Sequence, residues 1–135
     1  DFTSYADAVG LQIASMSPLF VRREDVDPAQ IEKQREIFHA QMDEEAAQTG
    51  KKKPAEVVAK IVAGKIDKWL SEVCLVEQTS VVDGEKTIQQ MADELSAKIG
   101  EKIAVRRFVR YELGEGIEKK SSDLAADVAA ALAGA

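Results

Sequence analysis

The sequence predicts an α+β fold in which a small antiparallel sheet packs with helices, an antiparallel helical hairpin is inserted, and a C-terminal helix ends the chain. Three observations carry this expectation. Apolar residues recur at helical spacing in five segments, and the run KIAVRRFVRYEL from Lys102 to Leu113 alternates as a half-buried strand does. The two longest helical patterns are separated only by the polar link TGKKK. At 135 residues the chain suffices for one ordinary domain, which buries about two thirds of its unfolded surface. No internal repeat and no low-complexity linker divides it. The expected organisation is a single domain over 1–135, with a core from 1–27 and 74–118, a hairpin over 28–73 and a C-terminal module over 119–135.

Tyr5, Ala6, Val9, Ile13 and Met16 place an apolar stripe on a helix over residues 3–16. Pro18 ends it, because the residue before a proline is driven out of the helical region. Leu19 to Val21 then read as a short strand. Asp27 supplies an N-cap, Pro28 a first helical residue with no amide to lose, and Gln30 a capping-box partner. The helix they start runs to about Gln48 and stops at Gly50. Pro54 opens the next one, which carries Val58, Ile61, Val62, Ile66, Trp69 and Leu70. Two helices of about 20 residues, each ~30 Å long, fold back antiparallel when joined by so short a turn. In the first of them Ile31, Ile37, Phe38 and Met42 carry most of the apolar surface. So narrow a stripe suits a two-helix coiled arm that stands off the core.

The segment SEVCLVEQTSVVDGEK has no clear period and reads as an extended connection back to the core. Thr87 and Gln90 form another capping box, opening a helix with Ile88, Met91, Ala92, Leu95 and Ile99 that closes at Gly100. In the strand that follows, Ile103, Val105, Val109, Tyr111 and Leu113 share one parity, while Arg106, Arg110 and Glu112 share the other. Arg107 and Phe108 break the alternation, through either a bulge or contact on both faces. Gly114 and Gly116 form the exit, and Ser122 caps a last helix marked by Leu124, Val128 and Leu132. Its narrow apolar face is either docked on the core or offered to a partner.

No run approaches the ~18 apolar residues of a membrane span, and the acidic, amphipathic start DFTSYADAVG is not expected to be a secretory signal. A net charge of −6 argues against general nucleic-acid affinity, which draws on concentrated positive charge. A protein partner is expected instead, with no direct nucleic-acid or membrane contact. Cys74 stands alone, which excludes an internal disulfide and agrees with a reducing compartment.

Candidate chemistry is sparse. His39 and Asp43 sit four residues apart on a helix, but a metal site needs a further convergent ligand, so they are expected to be a surface pair. Cys74 has no neighbouring histidine in sequence and reads as a structural thiol. Gly114 and Gly116 lack the lysine and serine of a phosphate loop and read as a turn. No nucleophile elbow or dinucleotide fingerprint appears, so neither an enzyme nor a cofactor is expected. Asp43, Glu44 and Glu45 with Lys51, Lys52 and Lys53 read as a solvated hairpin tip. Arg22, Arg23, Arg106, Arg107 and Arg110 either line one face of a sheet or, as the simpler account, form ion pairs with Glu24, Asp25 and Glu112.

The run KIAVRRFVRYELGEGIEKK closely resembles the segment near the C-terminus of elongation factor Ts, and the likeness spans essentially the whole chain in the family's order of parts. LQIASMSPLFVRREDV resembles a helix and strand of the C-terminal core subdomain; the stretch from Pro28 to Gln78 resembles the coiled-coil arm and its return; SSDLAADVAAALA resembles the C-terminal module. The VRRF form looks most like cyanobacterial and plastid members. The resemblance implies a nucleotide exchange factor that binds elongation factor Tu in its GDP form and promotes GDP release. It implies that the polar side of the first helix, near Gln12 and Ser15, faces domain 3 of that partner, and that Asp123, Leu124 and Val128 meet its GTPase domain. It places the family's N-terminal ubiquitin-associated-like domain and its Thr-Asp-Phe-Val motif outside this chain. Thr79 and Ser80 stand where the family commonly has Pro-Phe, and Leu124 where it has Phe. The competing expectation is a non-exchanging module that docks on translational or ribosomal partners. A homodimer is a further expectation, and the implied compartment is the bacterial cytoplasm, or the plastid stroma or mitochondrion in a eukaryote.

Overall fold

A computed structural model describes residues 1–117, which form four α-helices and two single-turn 3-10 helices. The expected final helix, with Asp123, Leu124 and Val128, lies outside the described residues. Helix α1 spans Phe2–Met16 and ends where Ser17 turns left-handed, at φ 50°, ahead of Pro18. A 3-10 turn follows at Arg23–Asp25. Helix α2 spans Pro28–Thr49, capped by Asp27, which accepts from Ala29 N at 2.9 Å, and terminated by left-handed Gly50. Helix α3 spans Ala55–Val73, and a second 3-10 turn covers Leu75–Glu77. Helix α4 spans Ile88–Ile99. Its capping box is complete: Thr87 Oγ1 accepts from Gln90 N, and Gln90 Oε1 accepts from Thr87 N.

The expected antiparallel sheet is not formed among the described residues; the fold is helical. Two isolated bridges make up its β-pairing, a parallel one between Phe20 and Cys74 and an antiparallel one between Thr79 and Thr87. Residues 102–112 carry no regular secondary structure, and no backbone–backbone hydrogen bond joins them to another segment; Ile103 N donates instead to Ser96 Oγ at 2.8 Å. Alternation reports one-sided burial, whereas a strand requires a paired backbone. The segment best placed in sequence to pair, after α3, curls into the 3-10 turn and a tight loop instead. The burial itself is present. Ile103, Val105 and Phe108 pack on the core, while Val109, Tyr111 and Leu113 are exposed. The buried face therefore changes parity between Val105 and Phe108, where Arg107 and Phe108 break the alternation in sequence.

The helices enclose two apolar clusters. In the body, Tyr5 and Val9 of α1, Leu75, and Ile88, Ala92 and Leu95 of α4 are buried together. In the arm, Met42 of α2 meets Val62, Ile66 and Leu70 of α3, with Val26 and Cys74 closing the base. Helices α2 and α3 lie side by side and antiparallel around this second cluster, with Phe38 half-buried beneath Lys65 Nζ at 5.6 Å from its ring centre. Ile37, part of the stripe read from the sequence, is exposed. At the tip, Lys53 Nζ reaches Glu45 Oε1 at 3.4 Å. Replacing Ile88 or Leu75, both fully buried, by Ala is expected to cost about 2–5 kcal/mol in urea denaturation. Exposed Ile37→Ala in the same assay is expected to stay within about 1 kcal/mol.

Candidate partner-docking face

Gln12 organises the most built surface of the body. It sits on the α1 stripe with Ala8 and Ser15, and its side chain is fully buried. Its amide is fully engaged. Gln12 Nε2 donates to Gln78 Oε1 and to Thr79 O, both at 3.1 Å, and Gln12 Oε1 accepts from Val81 N at 2.8 Å. Gln78 in turn donates to Glu72 O, near the end of α3, at 2.6 Å. One side chain thus ties the loop after the second 3-10 turn to α1.

The loop is rigid for local reasons. Buried Ser80 accepts from Val82 N and Asp83 N through its hydroxyl, and Ser80 N donates to Lys86 O at 2.8 Å. Asp83 Oδ1 accepts from Glu85 N and Lys86 N, and Gly84 takes the left-handed conformation, φ 81°, that closes the turn. These short polar side chains replace a ladder of backbone bonds. The result holds Val81 and Val82 outward beside α1, both exposed, with Leu11 and Ser15 exposed on the neighbouring helix surface. Val82 and Ala8 share the lining of a cleft of about 340 Å³ that runs between α1 and α4.

The resemblance places Gln12 and Ser15 together on a partner-facing surface. The structure puts them on one side of α1, with Ser15 exposed and Gln12 inside. The side chain of Gln12 therefore acts on that surface by positioning the loop. Asp123, Leu124 and Val128 lie outside the described residues. Val81 and Val82 are surface residues that the reading of this segment as a plain extended connection passed over. The signal for them is the Ser80, Asp83, Gly84 spacing, a turn signature.

Nothing on this face is arranged for covalent chemistry. Among the described residues no three His, Cys, Asp or Glu side chains are grouped to hold a metal ion. His39 is exposed midway along α2. Arg110 pairs with Glu112 at 3.1 Å, while Arg23 pairs not with its sequence neighbours but with Asp67 and Glu77. Cys74 is fully buried, and its thiol is pushed up to about 11, by burial first and then by Glu77, with Arg23 opposing. Tyr5 is also shifted upward, by burial and then by Asp93, and its hydroxyl has no hydrogen-bond partner.

Two outcomes follow. Gln12→Ala strands Thr79 O and Val81 N, so it is expected to cost about 2–3 kcal/mol and to speed hydrogen exchange at Val81 N ahead of the α4 amides. The Cys74 thiol ionises near 9 when unfolded and near 11 when folded. Its contribution to stability is therefore whole below about pH 9 and is lost as pH rises towards about 11, a decline that Cys74→Ser is expected to remove from urea titrations.

A family model for elongation factor Ts matches residues 2–115. The elongation factor Ts of Desulforamulus reducens is 51% identical over 130 residues, which are 96% of this chain and 57% of that protein. Those of Carboxydothermus hydrogenoformans and Geotalea daltonii are 48% and 46% identical, over 98% and 96% of this chain and 58% and 57% of their own lengths. The chain thus spans about 57–58% of the length of these curated relatives. With a match that runs from the start of α1 through the irregular segment after α4 and into its glycine turn, the chain belongs to the elongation factor Ts family.

Proposed function

We propose that this chain carries a docking surface of a guanine nucleotide exchange factor for translation, one that binds elongation factor Tu in its GDP form and promotes GDP release so that GTP enters. Family membership supports the partner, and the Gln12-tied face of Leu11, Ser15, Val81 and Val82 is the observation that supports the mode of contact. A small exposed apolar group held on a hydrogen-bonded frame loses little freedom on binding, so most of its burial appears as affinity.

The proposed mechanism is differential binding. If the surface engages the nucleotide-free form of the partner more tightly than the GDP form, nucleotide affinity falls by the same factor. Residues outside 1–117, among them Asp123, Leu124 and Val128, complete the contact in this reading. No cofactor, no catalytic group and no direct nucleic-acid or membrane contact is part of it. The compartment proposed is the cytoplasm for a bacterial source, and the plastid stroma or mitochondrion for a eukaryotic one.

Titration calorimetry with elongation factor Tu·GDP is expected to show binding that Val82→Asp and Leu11→Asp each weaken by at least tenfold, about 1.4 kcal/mol. Stopped-flow release of a fluorescent GDP analogue is expected to be accelerated by the parent chain and less so by either variant. Binding that both aspartates leave untouched would move the contact to another surface, and a parent chain that binds without changing the release rate would mark a non-exchanging docking module.

A further inference from the structure

We propose that Arg23 is an ionic latch that fixes the angle of the α2–α3 arm against the body. The arm leaves the body through Val26 and Asp27 and returns through Cys74, where α3 stops and the backbone turns extended. Four backbone ties cross this base: Leu19 N and Phe20 N both donate to Val73 O, at 2.9 and 3.1 Å, Leu75 N donates to Phe20 O at 2.9 Å, and Val76 N donates to Val21 O at 3.2 Å. These ties all lie within the few residues where the two segments cross, between Leu19 and Val21 on one side and Val73 and Val76 on the other.

Arg23 spans the joint by side-chain contacts, reaching Glu77 beyond it and Asp67 two turns up α3. Its guanidinium forks onto Glu77 of the second 3-10 turn, Nε to Oε1 and Nη2 to Oε2, the latter at 2.6 Å. A third donor, Nη1, reaches Asp67 Oδ1 on α3 at 2.6 Å. Ser71 Oγ lies within hydrogen-bond distance of both sides, 3.0 Å from Asp67 O and 3.3 Å from Glu77 Oε2. One planar cation therefore fixes a body carboxylate and an arm carboxylate in set directions, which an ammonium on a flexible stem does not do. Both hydrogen-bonded carboxylates, Glu77 first and then Asp67, also raise the basicity of the guanidinium above its ordinary value.

The latch is a matter of orientation more than of stability, since partly exposed ion pairs add little to folding. Orientation is what a long arm amplifies. Helix α2 has 22 residues and is about 33 Å long, so a swing of about 10° at the base moves the tip by ~6 Å. Without Arg23, Asp67 and Glu77 face one another with no cation between them, and their repulsion favours an opened joint. The latch lies apart from the proposed docking face, so its test is independent of the partner.

Spin labels on Gln48→Cys at the arm tip and Gln89→Cys on α4 report the tip-to-body distance by double electron–electron resonance. Native Cys74, fully buried, stays unlabelled. The parent is expected to give one narrow distribution. Asp67→Ala, an exposed position whose loss leaves the Arg23–Glu77 fork in place, is expected to shift or broaden it by ~6 Å, and Arg23→Gln by at least as much. Glu32→Ala, which breaks the 3.0 Å surface pair with Arg35 within the arm, is expected to leave it unchanged. A parent-like distribution in Asp67→Ala overturns the latch, and so does equal broadening in Glu32→Ala, which would make the effect a general softening of the arm. Should Arg23→Gln fail to fold, the Asp67→Ala and Glu32→Ala pair decides alone.

Discussion

The step from Cys74 to Leu75 is the constraint on which the rest depends. Both residues are fully buried, yet they face opposite ways, Cys74 into the arm cluster and Leu75 into the body cluster. Consecutive side chains of extended backbone point to opposite sides, so one peptide step serves two cores. The bridge to Phe20, with Leu75 N on Phe20 O and Val76 N on Val21 O, holds that step extended. A helical continuation of α3 through this point would send both side chains to neighbouring positions on one surface and leave one cluster without its centre. The upward shift of the Cys74 thiol pKa is a consequence of this placement: the residue is there to fill space between arm and body.

The body has a second dependence, on a buried amide. Gln12 occupies a position on α1 that an apolar residue would normally hold, and its three hydrogen bonds substitute for the backbone ladder that the neighbouring loop lacks. A satisfied polar network in a low-dielectric interior is directional, and it fixes the loop in one position where packing alone would allow several. It also joins α1, the loop and the end of α3 through Gln78, so the exposed valines and the base of the arm belong to one rigid frame.

The binding role proposed asks for rigidity in place of reactive groups. The described residues offer an apolar face on a hydrogen-bonded loop and an arm pinned at its base. For the exchange activity proposed, the useful quantity is the difference in affinity between two states of a partner, and a rigid surface preserves that difference because it does not remodel itself to suit both.

The helices were legible from local chemistry. Asp27, Thr87, Gln90, Pro28 and the left-handed glycines Gly50 and Gly100 act within a few residues of themselves, and each end of α2 and α4 lies where they place it. The family was legible for a similar reason, as a linear string of residues. The absence of a sheet is not legible there, because the alternation in Ile103 to Leu113 records which side is buried but not whether a second backbone lies alongside, and no such backbone is present among the described residues. Gln12 looked like a surface polar residue because nothing near it in sequence shows that its partners lie 66 to 69 positions away. Arg23 stands beside acidic neighbours in sequence, while its actual partners are 44 and 54 residues off. By itself the sequence determined the helix ends, the hairpin turn and the family, all set by short-range caps, turns or residue order. Only the tertiary structure decided which polar side chains go inside and which charges meet, because hydrogen bonds and ion pairs act over a few ångströms of space whatever their separation along the chain.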